Sequence, residues 1–528
     1  MGDADEKHDA SGPQGSIEGM LRLAARGTAI ALVGALLFAA FDFVARVLVA
    51  RNASQAEYGA FSISLALLNI LTIAACLGLH EGAPRFIAFS RGRGERRESS
   101  IILASLQLTL AAGALCSLSL FLLAGPLAEA LHSPPAVLRT FAAAVPFAVS
   151  VEMLVALFRG FDRVEERFYF RDLLMGVLKV SLVAAAAALG FLWMVAAYSL
   201  AIVLTALAFS AYAVRKLRVL TREARAVEAS GRELLASGVK HELLRFSLPL
   251  LVASVAGIAI LRADTLLLGY LRAAEEAGLY NAAHPLAQLL KICLDSMAFI
   301  YTPIAAQLLS RNRVRELRQY YVVLTKWVFL ATFPPAMLVL LFPRAVLSLI
   351  FGGGYASADG ALRILVAGML LHVLLGPNGA TLIAIGGTRP YMLYTLAGAA
   401  LNLALNVALI PEFGIVGAAV ASTAAVCTTN ALTSLQIFRT HRVHPFAARF
   451  MKPAAVSAVA TLALFPLFLN VAATPLTLLI FLLSFYVTCG ICMLVVSFDE
   501  NDMIVLLELA GNVGIKPRTL EKILKIKR

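Results

Sequence analysis

Fourteen apolar runs of membrane-spanning length follow one another along this 528-residue chain. A hydrocarbon core about 30 Å thick needs about 20 apolar residues per helix, and each run meets or approaches that length. The chain is 60% hydrophobic with a mean hydropathy of +0.83, whereas soluble proteins are usually about 45–50% apolar. The sequence therefore predicts an all-α polytopic membrane protein with about 14 transmembrane helices.

The basic residues between these runs predict the orientation of the chain. Alternate connections contain 27 lysines and arginines, and the intervening connections contain only Arg51 and Arg272. Because basic connections stay on the cytoplasmic side, we expect a multi-pass protein of the plasma membrane with both termini in the cytoplasm. This topology accounts for the net charge of +13 without a nucleic-acid partner.

One sequence pattern occurs twice in the chain. Glu57-Tyr58-Gly59 is followed by a proline, Pro84, 25 residues after the glycine. Ala277-Gly278-Leu279-Tyr280 is likewise followed by Pro303, 25 residues after Gly278. Such internal duplication is typical of transporters, and it predicts two pseudo-symmetric six-helix lobes followed by two C-terminal helices.

The predicted domain boundaries follow from this duplication and from the longest charged connection. They are a cytoplasmic N-terminal tail (1–26), an N-lobe of helices 1–6 (27–214), a cytoplasmic inter-lobe linker (215–245), a C-lobe of helices 7–12 (246–438), appended helices 13 and 14 (439–497) and a cytoplasmic C-terminal tail (498–528).

Several short motifs occur in an order that is similar to that of a known family. They are Ala50-Arg51-Asn52 closing the first run, Phe158-Arg159-Gly160-Phe161 after the fourth, Phe246-Ser247-Leu248-Pro249 opening the seventh, and Asp264-Thr265-Leu266-Leu267-Leu268-Gly269 within it. Over nearly the whole chain they resemble the Wzx-type flippases of polysaccharides and lipid-linked oligosaccharides. These belong to the multidrug, oligosaccharidyl-lipid and polysaccharide exporter superfamily.

This resemblance implies a central cavity that opens alternately to each side of the membrane. Family members move polyprenyl-linked saccharides from the cytoplasmic to the outer leaflet of the lipid bilayer, without hydrolysing nucleotide themselves. The pathway's glycosyltransferases or polymerase are candidate partners. This sequence is consistent with transport without nucleotide hydrolysis, since no GxxxxGK[ST] phosphate loop occurs in it.

Charged residues inside the runs are the candidates for function, because each costs at least about 2.5–3.5 kcal/mol at the bilayer centre. Cationic side chains suit the phosphate of a lipid-linked sugar, and guanidinium binds it bidentately. The candidates for binding this head group are Arg46, Arg262 and Lys291.

Each of these cations has a carboxylate near it in the sequence. Asp42, Asp264 and Asp295 are candidate charge partners or coupling groups for H⁺ or Na⁺. Asp42 and Arg46 are four residues apart and share a helix face, whereas Arg262 and Asp264 are two apart and do not. A purely structural role, in which the carboxylates neutralise the bases and hold the helices together, stays open.

Other polar residues in the runs have simpler interpretations. Glu152 and Lys179 are predicted to form a structural ion pair, because they lie at similar depth in adjacent antiparallel helices. Asn378, Asn402 and Asn406 either line the path of the sugar or bridge helices, and the sequence leaves both possibilities open.

No catalytic residue, metal site or bound cofactor is expected. Cys489-Gly490-Ile491-Cys492 has metal-ligand spacing but no second pair of ligands. Enzymatic activity is disfavoured because no pair of carboxylates has a site around it. Two other functions remain open: a cation-coupled multidrug exporter of the same superfamily, and a non-transporting scaffold of a glycan-assembly complex.

Overall fold

The computed structural model describes residues 33–93, 97–220, 232–469 and 474–496, and every regular element in these ranges is a helix. The predicted N- and C-terminal tails and the middle of the predicted linker lie outside the described residues. The helices of the first half are α1 (Val33–Arg51), α2 (Gln55–Ala75), α3 (Leu79–Arg93), α4 (Glu98–Leu122), α5 (Ala124–Ala130), α6 (Pro135–Gly160), a π-helical segment (Arg167–Leu174), α7 (Met175–Ala186), a 3₁₀ turn (Ala187–Leu189), α8 (Phe191–Leu220) and α9 (Arg232–Leu271). Those of the second half are α10 (Ala274–Leu289), α11 (Ile292–Ser310), α12 (Val314–Leu341), α13 (Pro343–Phe351), a 3₁₀ turn (Gly353–Ala358), α14 (Asp359–Leu374), α15 (Asn378–Ala384), α16 (Thr388–His441), α17 (Ala448–Leu469) and α18 (Pro475–Val496).

Within these ranges, eleven helices are long and apolar enough to cross a membrane. The prediction of an all-α polytopic membrane protein is therefore confirmed. The number of fourteen crossings stays a prediction, because the chain divides and joins some of the predicted runs. The eighth run is split between α10 and α11, and α16 contains the eleventh and twelfth together.

The 54-residue helix α16 consists of two antiparallel helices. Gly414 lies between them with φ 53° and ψ −128°, a conformation outside the helical region. The side chain of Thr429 donates a hydrogen bond to the carbonyl of Tyr394 at 3.3 Å, which fixes the two arms, 388–413 and 415–441, side by side. A tight turn at Gly414 therefore joins the eleventh and twelfth runs.

The chain forms two compact units, Met1–Gly278 and Leu279–Arg528. Helix α9 belongs to the first unit, since it packs on α2, α3 and α4. The predicted lobe boundary lies earlier, in 215–245. Because a lobe is defined by sequence duplication and a unit by packing, the lobe boundaries stay a prediction.

An aromatic cluster forms part of the core of the first unit. The ring of Phe61 in α2 lies 5.2 Å from that of Tyr198 in α8 and 5.6 Å from that of Phe141 in α6. Edge-to-face pairs of this kind stabilise helix contacts beyond the area that they bury. This packing fixes the ring of Tyr198 and therefore the place of its hydroxyl group.

The two copies of the repeated turn contact each other. Ser54 and Glu57 form a capping box that starts α2, and the first turn of α2 crosses the first turn of α10. A methyl group on Gly59 would lie 1.6 Å from the carbonyl oxygen of Ala274, and one on Gly278 would lie 2.2 Å from the carbonyl oxygen of Gln55. Glycine is therefore required at both positions, because any side chain would meet backbone.

Candidate functional site

A cavity of about 260 Å³ lies inside the first unit, among α1, α2, α6, α7, α8, α9 and the π-helical segment that leads into α7. Apolar side chains such as Leu65, Ile202 and Ile258 form part of its wall. Its ionisable lining residues, apart from Tyr198, are Asp42, Arg46, Glu152, Arg171, Lys179 and Arg262.

Asp42 is the centre of a buried hydrogen-bond network in this cavity. Its Oδ2 accepts a hydrogen bond from Nε of Arg46 at 2.8 Å, one helical turn further along α1. Its Oδ1 accepts from Nζ of Lys179 at 2.9 Å and from the hydroxyl of Tyr198 at 2.8 Å. Lys179 also donates to the hydroxyl oxygen of Tyr198 at 2.7 Å, so α1, α7 and α8 are joined at one carboxylate.

The predicted ion pair between Glu152 and Lys179 is wrong. Glu152 pairs instead with Arg171, with 2.8 Å between Oε1 and Nη2, and Lys179 pairs with Asp42. The fifth apolar run of the sequence is predicted to begin at residue 172, one residue after Arg171, whereas the membrane-spanning segment begins at Arg167. Lys179 therefore lies deeper in the segment than expected, and Arg171, which lies inside the segment, pairs with Glu152.

Arg262 differs from the other cations of the cavity. Arg46, Arg171 and Lys179 each contact a carboxylate, whereas Arg262 has neither an ion-pair nor a hydrogen-bond partner among the residues described here. Its Nε is fully buried and makes no hydrogen bond to any of them. Guanidinium is always charged and carries five donors, so this side chain retains its capacity to bind an anion.

The cavity as a whole is positive. Arg46, Arg171, Lys179 and Arg262 contribute four positive charges against the two negative charges of Asp42 and Glu152, a net charge of +2. A wall of low dielectric constant strengthens the resulting field, because apolar side chains screen charge less than water does. The arrangement is complementary to an anionic group of small size.

The structure places the other predicted site residues away from this cavity. Asp264 is buried and is not among the lining residues, as its two-residue spacing from Arg262 predicts. Lys291 lies in the second unit between α10 and α11, where its Nζ is 3.2 Å from Oδ2 of Asp295 and both side chains are partly exposed. The cavity of the first unit therefore contains Arg46 and Arg262 of the three predicted cations.

Asn378 and Asn402 bridge helices within the second unit, the latter by donating to the hydroxyl of Ser422 in the other arm of α16 at 3.5 Å. Nδ2 of Asn378 donates to the carbonyl of Asn430 at 3.1 Å and to the hydroxyl of Ser434 at 2.9 Å. Asn406 donates to Asn402 at 3.1 Å within the first arm of α16. Of the two possibilities that the sequence leaves open, these contacts favour a structural role.

Sequence reasoning missed two residues of the site. Arg171 was assigned to a cytoplasmic connection, because the predicted helix began one residue later. Tyr198 lies within an apolar run, and its spacing contains no signal for a contact with Asp42. Only the packing of α8 beside α1 and α7 brings its hydroxyl to the carboxylate.

The helical fold defines a multi-pass membrane protein, and its first unit contains a charged internal cavity. The family model described as "Polysaccharide biosynthesis protein" matches residues 24–309, which is more than half of the chain, and a second model, MatE, matches residues 249–408. The chain belongs to the polysaccharide biosynthesis protein family.

Comparisons with individual proteins agree with this assignment. The chain is 26% identical over 185 residues to the "Probable low-salt glycan biosynthesis flippase Agl15" of Haloferax volcanii, a match that covers 34% of this chain and 39% of that protein. Such matches span between 25% and 39% of the length of the curated relatives.

Solved structures match over more of the chain. The lipid II flippase MurJ, in an inward closed conformation, matches with a TM-score of 0.63 and 13% identity over 87% of this chain and 97% of its own. An inward-facing multidrug resistance MATE family transporter of the MOP superfamily matches with a TM-score of 0.60 and 14% identity over 75% of this chain and 92% of its own. At such low identity these likenesses show the fold alone, which is that of the predicted exporter superfamily.

Proposed function

We propose that this chain is a flippase of the plasma membrane that moves a polyprenyl-(pyro)phosphate-linked oligosaccharide from the cytoplasmic to the outer leaflet. It works by alternating access and serves the assembly of a cell-surface polysaccharide or of protein-linked glycans. The observation that carries the proposal is the guanidinium of Arg262, which has no partner among the described residues and lies in a cavity of net charge +2. The names of the glycan flippase relative and of the lipid II flippase with the same fold support it.

The size of the cavity indicates which part of the substrate it holds. Its volume of about 260 Å³ lies just below the roughly 300–1,000 Å³ of typical small-molecule pockets. It therefore suits the phosphate head group with little of the glycan, while the polyprenyl tail stays in the lipid. Arg262 binds a phosphate oxygen directly, and Arg46 and Lys179 add charge that Asp42 only partly neutralises.

Reconstituted vesicles test this proposal. The purified protein is placed in liposomes that contain a fluorescent polyprenyl-pyrophosphate-linked saccharide, and its appearance in the opposite leaflet is followed with a membrane-impermeant quencher. We expect the transport rate of Arg262→Ala to fall by a factor of about ten or more, since a hydrogen bond to a charged group contributes about 1.5–3 kcal/mol. Arg262→Lys keeps the charge but loses the bidentate geometry, and should fall between Arg262→Ala and the unaltered protein.

Arg344→Ala is the matched control. This arginine is exposed and pairs with Asp359 at 2.9 Å, so its removal should leave transport unchanged. Full transport by Arg262→Ala at equal protein content would disprove head-group binding in the cavity.

The match of residues 249–408 to the MatE model favours a second candidate, a cation-coupled multidrug exporter. A cavity of net positive charge disfavours cationic drugs, but the same vesicles test the candidate directly. Uptake of a cationic dye driven by an H⁺ or Na⁺ gradient, with no movement of the lipid-linked saccharide, would establish it.

A further inference from the structure

The π-helical segment Arg167–Leu174 contains a buried carboxyl group that does not line the transport cavity. Asp172 is only 1% exposed. Neither of its carboxyl oxygens has a hydrogen-bond partner in the described part of the chain. Of the carboxylates in these ranges, it is the one whose two oxygens are both buried and without a hydrogen bond.

A glycine on α1 makes room for this carboxyl group. A methyl group on Gly34 would lie 2.4 Å from Oδ2 of Asp172 and 3.0 Å from the ring of Phe168. The backbone of α1 therefore closes over the carboxyl group, and any side chain at residue 34 would displace it. The surroundings on this side are hydrocarbon and peptide backbone rather than water.

Asp172 has one ion-pair contact among the described residues, and that contact is long. Nε of Arg167 is 3.5 Å from Oδ2, beyond the roughly 2.7–2.9 Å of a charge-assisted hydrogen bond. That Nε is itself buried without a hydrogen bond to the residues described. Arg171 is held by Glu152 of α6 at 2.8 Å.

The other helices packed around the segment supply no closer charge. From α8, Tyr212 donates its hydrogen bond to Glu166 rather than to Asp172. From α1 the contact is Gly34, and Lys179 of α7 is engaged by Asp42. An ionised carboxylate in such a place is costly, and the neutral acid is the form that burial favours.

We propose that Asp172 is a proton-binding site that couples H⁺ to the transport described above. The inference rests on that proposed function. In the conformation described here one carboxyl oxygen holds a proton taken from the aqueous phase, and the group is neutral. When α1 and the π-helical segment separate, the O–H bond breaks, the proton leaves to water, and the carboxylate pairs with Arg167; no other bond changes.

Two observations distinguish a proton from a metal cation and indicate that the segment moves. A metal ion is held by several oxygen ligands, whereas the described residues contain no group of three or more His, Cys, Asp or Glu side chains that could hold one. Single turns of π-helix occur mostly within α-helices, and they are frequent at functional sites. Conversion of this segment to α-helix would rotate Asp172 relative to α1.

Infrared difference spectroscopy tests proton binding without any substrate. The purified protein in lipid is titrated with acid and base, and the carbonyl stretch of a protonated carboxylic acid is followed. We expect a titrating band that is lost in Asp172→Asn and kept in Asp162→Asn, an exposed carboxylate on the neighbouring turn. A band that is unchanged in Asp172→Asn would overturn the inference.

Transport in vesicles tests coupling. With one proton per substrate, a pH difference of one unit should change the steady-state distribution of the lipid-linked saccharide about tenfold. Asp172→Asn should still equilibrate the saccharide but show no response to the pH difference. A full response in Asp172→Asn, or a response of the unaltered protein to Na⁺ alone, would refute coupling through this residue.

The two proposals fail in different ways. If the unaltered protein moves no lipid-linked saccharide, the proposed function is wrong, and the infrared titration still decides whether Asp172 binds a proton.

Discussion

The contact between the two repeated turns predicts a large effect of a single methyl group. In Gly59→Ala the new carbon would lie 1.6 Å from the carbonyl oxygen of Ala274, whereas unstrained carbon contacts are about 3.5–4.0 Å. The first turns of α2 and α10 would have to separate by about 2 Å, since the obstacle is backbone and cannot rotate away. Overpacking of a core usually lowers the stability of a protein by about 1–3 kcal/mol. We expect the loss of stability in Gly59→Ala to reach or exceed the upper end of this range.

Thermal unfolding in detergent, followed by the loss of the monodisperse peak on size exclusion, measures this effect. The matched control is Gly257→Ala, because this glycine lies within α9 and a methyl group there would have no atom within 4 Å. We expect Gly257→Ala to be neutral or slightly stabilising, since alanine is about 1 kcal/mol better than glycine in a helix. If Gly59→Ala unfolds at the same temperature as Gly257→Ala, the close packing of the two turns is refuted.

Two further predictions concern the pairing of Glu152 and the turn in α16. Glu152→Gln and Arg171→Gln should each lower the stability of the protein. The double variant should lose less stability than the sum of the two single losses, by about 0.6–1.7 kcal/mol, as for other polar contacts in membranes. Additive losses in thermal unfolding would exclude the pair. Gly414→Ala should cost about 1–3 kcal/mol, because φ 53° with ψ −128° is strained for any residue with a side chain. A membrane abundance of Gly414→Ala equal to that of Gly257→Ala would contradict this.

The sequence predicted much of the fold because each signal it used is local. Apolar runs of about 20 residues specify helices wherever they occur, and Gly59 and Gly278 were identified as equivalent positions from spacing alone. The positions where the chain interrupts its helices were harder to predict. The break between α2 and α3, where Leu77 and Gly78 have positive φ, lies inside one continuous apolar run.

The candidate site was predicted less completely than the fold. Arg46 and Arg262 are candidates because charges are rare within membrane helices, and both line the cavity of the first unit. That they bind a head group stays a prediction. Lys291 was grouped with them on charge alone, although it lies in the second unit beside Asp295. Asp172 directly follows Arg171, and the sequence alone does not distinguish it from the charged end of a connection.

The sequence by itself determined which charges enter the helices and which residues share a helix face, since both follow from the 3.6-residue period. Only the tertiary structure decided which charges pair. Lys179 and Tyr198 reach Asp42 from 137 and 156 residues away, and such contacts depend on the depth and rotation of each helix. An error of several residues in the start of one helix moves a side chain along the axis by about 1.5 Å per residue, which is enough to exchange one ion pair for another.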